Sequence, residues 1–244
     1  MFQRPARFTE LSPRSRHSSD AGMDIPLTDL RNSPTKRFSY RLLKRFLDFC
    51  VSLLALTLLA PFLALIALAL RLGSSAPVFF RQRRVGQYGR EFWMYKFTTM
   101  MASSAHVSDT QWTSEDERVT HLGGILRPTG LDELPQLVNV LRGDMSLVGP
   151  RPERPHFVGI FRRDIQGYMK RHALKPGITG WAQICGWRGD TSIRKRIEHD
   201  LYYLQHWTLW FDLKILWLTV LGKPAGIRVD HRSSNRINSA SNSS

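Results

Sequence analysis

A chain of 244 residues with 35 Lys and Arg against 20 Asp and Glu carries a formal charge of +15 at pH 7. That length suits one domain with a real core, with room for an appendage, and the charge calls for an anionic partner: nucleic acid, an acidic membrane surface or a phosphorylated substrate. Two cysteines, Cys50 and Cys185, lack any metal-ligand spacing, which excludes a zinc site and a disulfide framework and fits a reducing compartment.

Residues 1–36 are rich in Arg, Ser, Pro and Asp and lack apolar periodicity, so burial cannot repay the entropy of ordering them; they are read as a disordered tail. Residues 46–70 form the only long apolar run, with Asp48 near its start and Pro61 near its middle. The run is long enough to cross a bilayer and lacks the small-residue cleavage site of a signal peptide. Arg37, Arg41, Lys44 and Arg45 precede it, and Arg71, Arg81, Arg83 and Arg84 follow it. Basic clusters on both flanks favour placing both ends on the cytoplasmic side. A re-entrant hairpin bent at Pro61 meets that condition, with Thr57 available to partner a freed carbonyl. On these residues alone the re-entrant and spanning readings both stay open, and a buried core helix fits least well.

Residues 78–80 and 91–97 read as two strands of a hairpin joined by the loop Gly86-Gln87-Tyr88-Gly89, and 102–117 as a polar loop or mobile segment. Next comes Thr129-Gly130-Leu131-Asp132-Glu133-Leu134-Pro135-Gln136-Leu137, with two adjacent carboxylates. Leu134, Leu137, Val138 and Leu141 recur on one helical face, and Gly143 is a natural C-cap. Pro135 is tolerable only in a first turn, so the spacing predicts a helix starting near Asp132, with both carboxylates at the positive end of its dipole. Simple capping is the plainer explanation of such a pair. Arg151, between Pro150 and Pro152, has little backbone freedom left to lose on binding.

Residues 175–183 and 186–190 read as loops that could line a pocket. Ile193, Ile197, Leu201 and Leu204 predict an amphipathic helix. The segment 207–221, with Trp207, Trp210, Phe211 and Trp217, suits either a lipid headgroup region or an ordinary core helix. A second polar tail closes the chain over 225–244.

The order of the basic-flanked apolar run, Tyr95-Lys96-Phe97-Thr98-Thr99-Met100, Leu131-Asp132-Glu133-Leu134-Pro135-Gln136, Gly143-Asp144-Met145-Ser146-Leu147-Val148-Gly149-Pro150-Arg151-Pro152 and Pro176-Gly177-Ile178-Thr179-Gly180 closely resembles the bacterial sugar transferase family, the monotopic polyprenyl-phosphate phosphoglycosyl transferases. The likeness runs over roughly residues 41–223. It implies a helix-dominated α+β fold with a re-entrant membrane hairpin over 37–74, bent at Pro61, and a cytoplasmic transferase domain over 75–224 with a small β-hairpin. Longer relatives carry N-terminal membrane spans and an extra domain, so this chain is expected to be the minimal catalytic form.

The implied reaction takes a sugar 1-phosphate from a UDP-sugar to undecaprenyl phosphate at the cytoplasmic face of the inner membrane and releases UMP. It would open exopolysaccharide or capsule synthesis. Gly186-Trp187-Arg188-Gly189-Asp190-Thr191 and Asp200-Leu201-Tyr202-Tyr203 resemble the glucose 1-phosphate branch. Asp132 matches the nucleophile and Glu133 the Mg²⁺ ligand, while Arg151, Lys96 and Arg127 are assigned to substrate phosphate. A helix dipole supplies only about 0.3–1 kcal/mol, too little to bring a carboxylate against a diphosphate, which is the physical case for the cation.

Thr98, Gly124 and Pro128 stand where basic residues are common in the family, and Gly130 where serine is frequent, which puts donor preference and activity in question. The rival reading is a non-catalytic, membrane-tethered basic scaffold or anionic-lipid-binding protein. No nucleic-acid-binding signature stands out, and a homo-oligomer is left open.

Overall fold

The computed structural model describes residues 38–100, 119–189 and 191–222, so the expected tails and the polar segment 102–117 lie outside the described residues. The chain runs α1 (Phe38–Gly73), β1 (Phe79–Val85), β2 (Glu91–Phe97), α2 (His121–Thr129), α3 (Gln136–Arg142), β3 (Ser146–Val148), α4 (Pro155–Asp164), β4 (Gly177–Thr179), α5 (Trp181–Ile184), α6 (Ile193–His206) and α7 (Leu209–Val220). Helices dominate, and the strands pair into two small sheets, as expected of a helix-rich α+β chain.

The Leu- and Ala-rich composition of α1 favours helix throughout its 36 residues, and Pro61 lies inside it. Tyr40–Gly73 is long and apolar enough to cross a membrane, with an 18-residue window of mean hydropathy 2.7. Positions 44, 45, 48, 52, 55, 56, 59, 63, 66, 67, 69 and 70, nearly all at helical spacing, are its buried or half-buried ones. Ala55 and Leu56 pack on the main core, while Leu63, Ile66, Ala67 and Leu70 pack on a second cluster with Phe97 and Leu126. Leu53, Leu54, Leu58, Leu65 and Leu68 stay exposed on the outside.

The hairpin expected over 37–74 is corrected in one respect: the helix continues through Pro61 with no return turn. Thr57 donates its hydroxyl to Leu53 O at 2.9 Å and so does not supply the donor to its own carbonyl that loss of the Pro61 N–H leaves wanting.

The antiparallel hairpin pairs Phe79 with Phe97 through to Val85 with Glu91. Its first strand reaches beyond the expected 78–80 because the basic residues there are strand residues: the Arg81 and Arg83 guanidinium groups each lie 5.2 Å from the Trp93 ring centre. Fully buried Asn139 fastens α3 to this hairpin, donating to Trp93 O at 2.7 Å and accepting from Tyr95 N at 3.1 Å. The main core gathers Met94, Leu137, Val140, Met145, Val148, Tyr203, Trp207 and Ile215.

The stretch 175–183, expected as a loop, instead contains β4, a strand parallel to β3 with Ser146 opposite Gly177 and Val148 opposite Thr179. Three residues are too few for alternation to register, and glycine hides the strand further. A Cβ on Gly177 would lie 2.1 Å from Gly149 N, and one on Gly149 would lie 2.3 Å from Lys175 O, so the backbones touch where only hydrogen fits. Helix α6 follows its expected face, with Ile197, Leu201 and Leu204 buried.

Gly177→Ala is expected to cost about 1–3 kcal/mol or more, because backbone rather than a flexible side chain blocks the methyl group. Gly124→Ala, on an exposed helical position with nothing within 4 Å, should stabilise by up to about 1 kcal/mol. Thermal unfolding of the two variants in detergent checks the opposite signs.

Candidate functional site

Pro135 decides the local structure around the acidic pair. Its ring bars an α-helix from running through the preceding turn, and the chain closes shorter bonds there: Glu133 N to Gly130 O at 3.1 Å and Leu134 N to Leu131 O at 3.3 Å. The helix expected to start near Asp132 therefore becomes a 3₁₀ turn, Leu131–Glu133, followed by α3, with Pro135 as N-cap. Gly130 ends α2 at a φ of 71°, donating its N–H towards Arg127 O and Leu126 O. A glycine replacing the family's frequent serine is thus the residue that suits a left-handed cap.

The two carboxylates precede α3 rather than occupying its first turn, and neighbouring cations dominate their electrostatics. Lys96, near the end of β2, donates to Glu133 Oε1 at 2.6 Å. Arg151 donates to both Glu133 oxygens, at 2.5 Å to Oε1 and 3.2 Å to Oε2. Burial alone would raise the pKa of Glu133, but Arg151 and Lys96 outweigh it and hold the carboxyl well below the usual range. Asp132 goes the other way: it is 7% exposed, and burial pushes its carboxyl above the usual aspartate value despite Lys96, Arg127 and Arg151 nearby, with the Glu133 charge adding to the rise. Arg127 is steered by Nε donating to Thr99 Oγ1 at 3.0 Å.

Asp132, Glu133, Lys96, Arg151 and Arg127 thus meet in one place, whereas Pro61 lies exposed on α1 and takes no part. Among the other departures, Gly124 and Pro128 are exposed on α2, and Thr98 is half-buried and donates its N–H to Val78 O at 2.9 Å. An ionised carboxylate offers about four lone-pair positions, and the three contacts on Glu133 leave room on Oε2. Mg²⁺ that takes one such oxygen and completes its shell with substrate phosphates and water fits this donor set. Among the described residues, no group of three or more His, Cys, Asp or Glu could hold a metal by itself.

A buried framework holds the Arg151 segment. Arg171 pairs with Asp200 at 2.6 Å and donates to Arg151 O at 2.8 Å. Arg84 donates to Pro152 O at 3.2 Å, Val85 N to Glu153 O at 2.9 Å, and Arg196 to Glu153 Oε1 at 2.5 Å. Sequence reading missed Arg84, Glu153, Arg171 and Arg196. Their only available signal was an excess of charged residues in segments whose apolar positions mark them as core-facing. Asp200, read as part of a donor-branch motif, is 2% exposed and serves this framework.

This constellation occupies the middle of a longer match, since the family model described as bacterial sugar transferase covers residues 39–223. The chain belongs to the bacterial sugar transferase family. It is 48% identical over 200 residues to the UDP-glucose:undecaprenyl-phosphate glucose-1-phosphate transferase of Escherichia coli K12, covering 80% of this chain and 43% of that protein. The UDP-N-acetylgalactosamine-undecaprenyl-phosphate N-acetylgalactosaminephosphotransferase of Aeromonas hydrophila is 43% identical, over 74% of this chain and 43% of that protein. An exopolysaccharide production protein of Rhizobium leguminosarum bv. phaseoli is 42% identical over 74% of this chain and 94% of its own length. The chain therefore spans less than half the length of the first two relatives.

Because the Asp132 carboxyl titrates above its unfolded value, its ionisation costs stability as pH rises through the interval between the two values, and that cost persists at higher pH. Asp132→Asn should therefore raise the unfolding temperature at pH 7, with the gain shrinking to nothing in acid below the unfolded value. Melting curves of both proteins across that range check the sign.

Proposed function

We propose that this family member transfers a sugar 1-phosphate from a UDP-sugar to undecaprenyl phosphate, releasing UMP, at the cytoplasmic face of a bacterial inner membrane. The observation that supports the reading is the unequal pair: Glu133 is gripped by Lys96 and Arg151, with room left on Oε2 alone, while its neighbour Asp132 is left as the carboxylate to react. Asp132 attacks the sugar-bearing phosphorus of the donor. A P–O bond forms to the carboxylate as the bond to UMP breaks, leaving an aspartyl phosphosugar. Its anhydride is then opened by a phosphate oxygen of the lipid, which regenerates the carboxylate. One pyrophosphate linkage replaces another, so no further energy source is needed.

Arg151 suits bidentate contact with phosphate, and Lys96 and Arg127 supply further positive charge. Glu133 would hold Mg²⁺ through its open lone pair, and the ion would screen the diphosphate charge. Glucose is the sugar favoured here: the E. coli relative whose name specifies UDP-glucose is 48% identical, against 43% for the Aeromonas relative whose name specifies N-acetylgalactosamine. The outward apolar side of α1 suits insertion into one leaflet, with both halves remaining against the domain. Production of an exopolysaccharide is the fitting pathway context, as the name of the Rhizobium relative indicates.

The test is UMP release from a panel of UDP-sugars in nanodiscs, with undecaprenyl phosphate and with Mg²⁺ or a chelator. UDP-glucose should give the fastest release, the chelator should stop it, and Asp132→Asn should lower it by about a thousandfold or more. Arg151→Lys should lose about tenfold or more, because an ammonium cannot reproduce the two-point contact. Unchanged release in Asp132→Asn would defeat the mechanism. Steeply salt-dependent lipid binding with no turnover would favour the basic tether instead.

A further inference from the structure

Away from the acidic pair, a cavity of about 290 Å³ opens at the N-terminal end of α1, walled also by the 87–88 turn, β3, the 174–175 segment and Trp207. Its charged lining is lopsided: Arg41, Lys44, Arg45 and Lys175 face Asp48 alone. Three of the four cations, Arg41 among them, are already engaged with other groups of the protein. Lys44 pairs with Asp212 at 2.6 Å, and Arg45 donates to Val140 O and, at 2.6 Å, to Leu141 O at the end of α3. Lys175 has no hydrogen bond or ion pair among the described residues.

Lys175 and Arg45 are also crowded together, since a Cβ placed on Gly143 would meet Arg45 at 3.3 Å and Lys175 Nζ at 3.5 Å. Burial, reinforced by the Arg45 and Lys44 charges, holds the Lys175 ammonium below its usual acidity range. The Asp48 and Asp144 charges offset this only in part, and a half-buried cation that neither carboxylate bonds directly lowers its energy by accepting an anion. Leu42, Val148, Leu174 and Trp207 give the rest of the wall an apolar stretch, beside Gln87, Tyr88 and Ser146. Leu42 is 54% exposed and leads onto Leu43, Phe46 and Leu47, also exposed, along the outer side of α1. An anionic head and a hydrocarbon tail are therefore accommodated side by side.

We propose that this cavity seats the headgroup phosphate of an anionic glycerophospholipid, with Lys175 and Arg41 as its cationic contacts and the acyl chains lying along the outer face of α1. The site is separate from the acidic pair: Glu133 precedes α3, whereas Arg45 closes the far end of that helix. The lipid is a bound component of the membrane anchor, not an acceptor substrate.

The purified full-length protein in detergent, offered equal amounts of phosphatidylglycerol and phosphatidylcholine, is expected to retain phosphatidylglycerol selectively by native mass spectrometry. Lys175→Gln should cut that selectivity by about tenfold and Lys175→Arg should largely restore it, as loss and return of a charged hydrogen bond require. Arg41→Gln, on an exposed position, gives a second reading should Lys175→Gln fold poorly. Asp132→Asn should keep the wild-type selectivity, which makes the result independent of the transferase reading. Equal retention of the two lipids overturns the proposal, as does selectivity unchanged in both Lys175→Gln and Arg41→Gln. Loss of selectivity in Asp132→Asn would move the lipid to the acidic pair, and inorganic phosphate displacing phosphatidylglycerol at matched concentration would make the ligand a soluble phosphate; either result overturns it.

Discussion

A carboxylate taken out of water and gripped by two cations from distant parts of the chain is the constraint on which the site depends. Glu133 is held by Lys96 from β2 and by Arg151 from the loop after β3, so three segments converge on one side chain. Removing either cation would leave a desolvated charge undercompensated, which is the costly way to break such a group. The same arrangement separates the chemistry of two adjacent acids. Glu133 absorbs the hydrogen bonds and stays ionised. Asp132, one residue earlier and buried, is pushed towards its neutral form and so pays less attraction to the surrounding cations than its position would suggest. The proposed metal cation, if bound beside it, would favour the ionised form.

That grip is only as firm as the loop carrying Arg151. Backbone contact among Gly149, Gly177 and Gly180 sets the path of the loop, because a Cβ on Gly180 would lie 2.2 Å from Gly149 O. Arg171 and Arg84 then bond the carbonyls of Arg151 and Pro152, and Arg196 anchors Glu153. Three arginines thus serve to orient a fourth. Asp200 and Glu153 offset most of the charge of these three arginines, so nearly all of the net +15 lies elsewhere in the chain.

The parts of this structure legible in sequence are those with local signals. The apolar run, the hairpin and the α6 face follow from hydrophobic periodicity, and Lys96, Asp132, Glu133 and Arg151 lie in motifs whose order resembles a family, with Arg127 outside those motifs. The 3₁₀ turn at Leu131–Glu133 was misread because apolar spacing continued through a position where Pro135 forbids the helix, and the proline has the stronger effect. Strand β4 was missed because its evidence is non-local: only contact with Gly149 explains why Gly177 must lack a side chain. The Arg171–Asp200 and Arg196–Glu153 pairs span 29 and 43 residues, separations that no periodicity connects. The distinction between interfacial and core roles for 207–221 dissolves at the level of single residues. Trp207 is 1% exposed, while Trp210 and Trp217 are 76% and 65% exposed on α7.

The buried Asp212 explains how one segment holds both characters. It accepts from Tyr203 at 2.5 Å, from Trp207 Nε1 at 3.1 Å and from Lys44 at 2.6 Å, joining α6, the start of α7 and α1. Asp48 adds a second tie, accepting from Leu147 N at 3.1 Å. Polar fastenings on the inner side of α1 leave its outer side free to remain wholly apolar. A helix held by hydrophobic contact alone could roll to bury Leu54 and Leu58 in the domain core, whereas one held by Lys44 and Asp48 would strand two charges by doing so. Directional polar bonds therefore keep the apolar faces of α1 and α7 outward, as the proposed placement against a membrane requires.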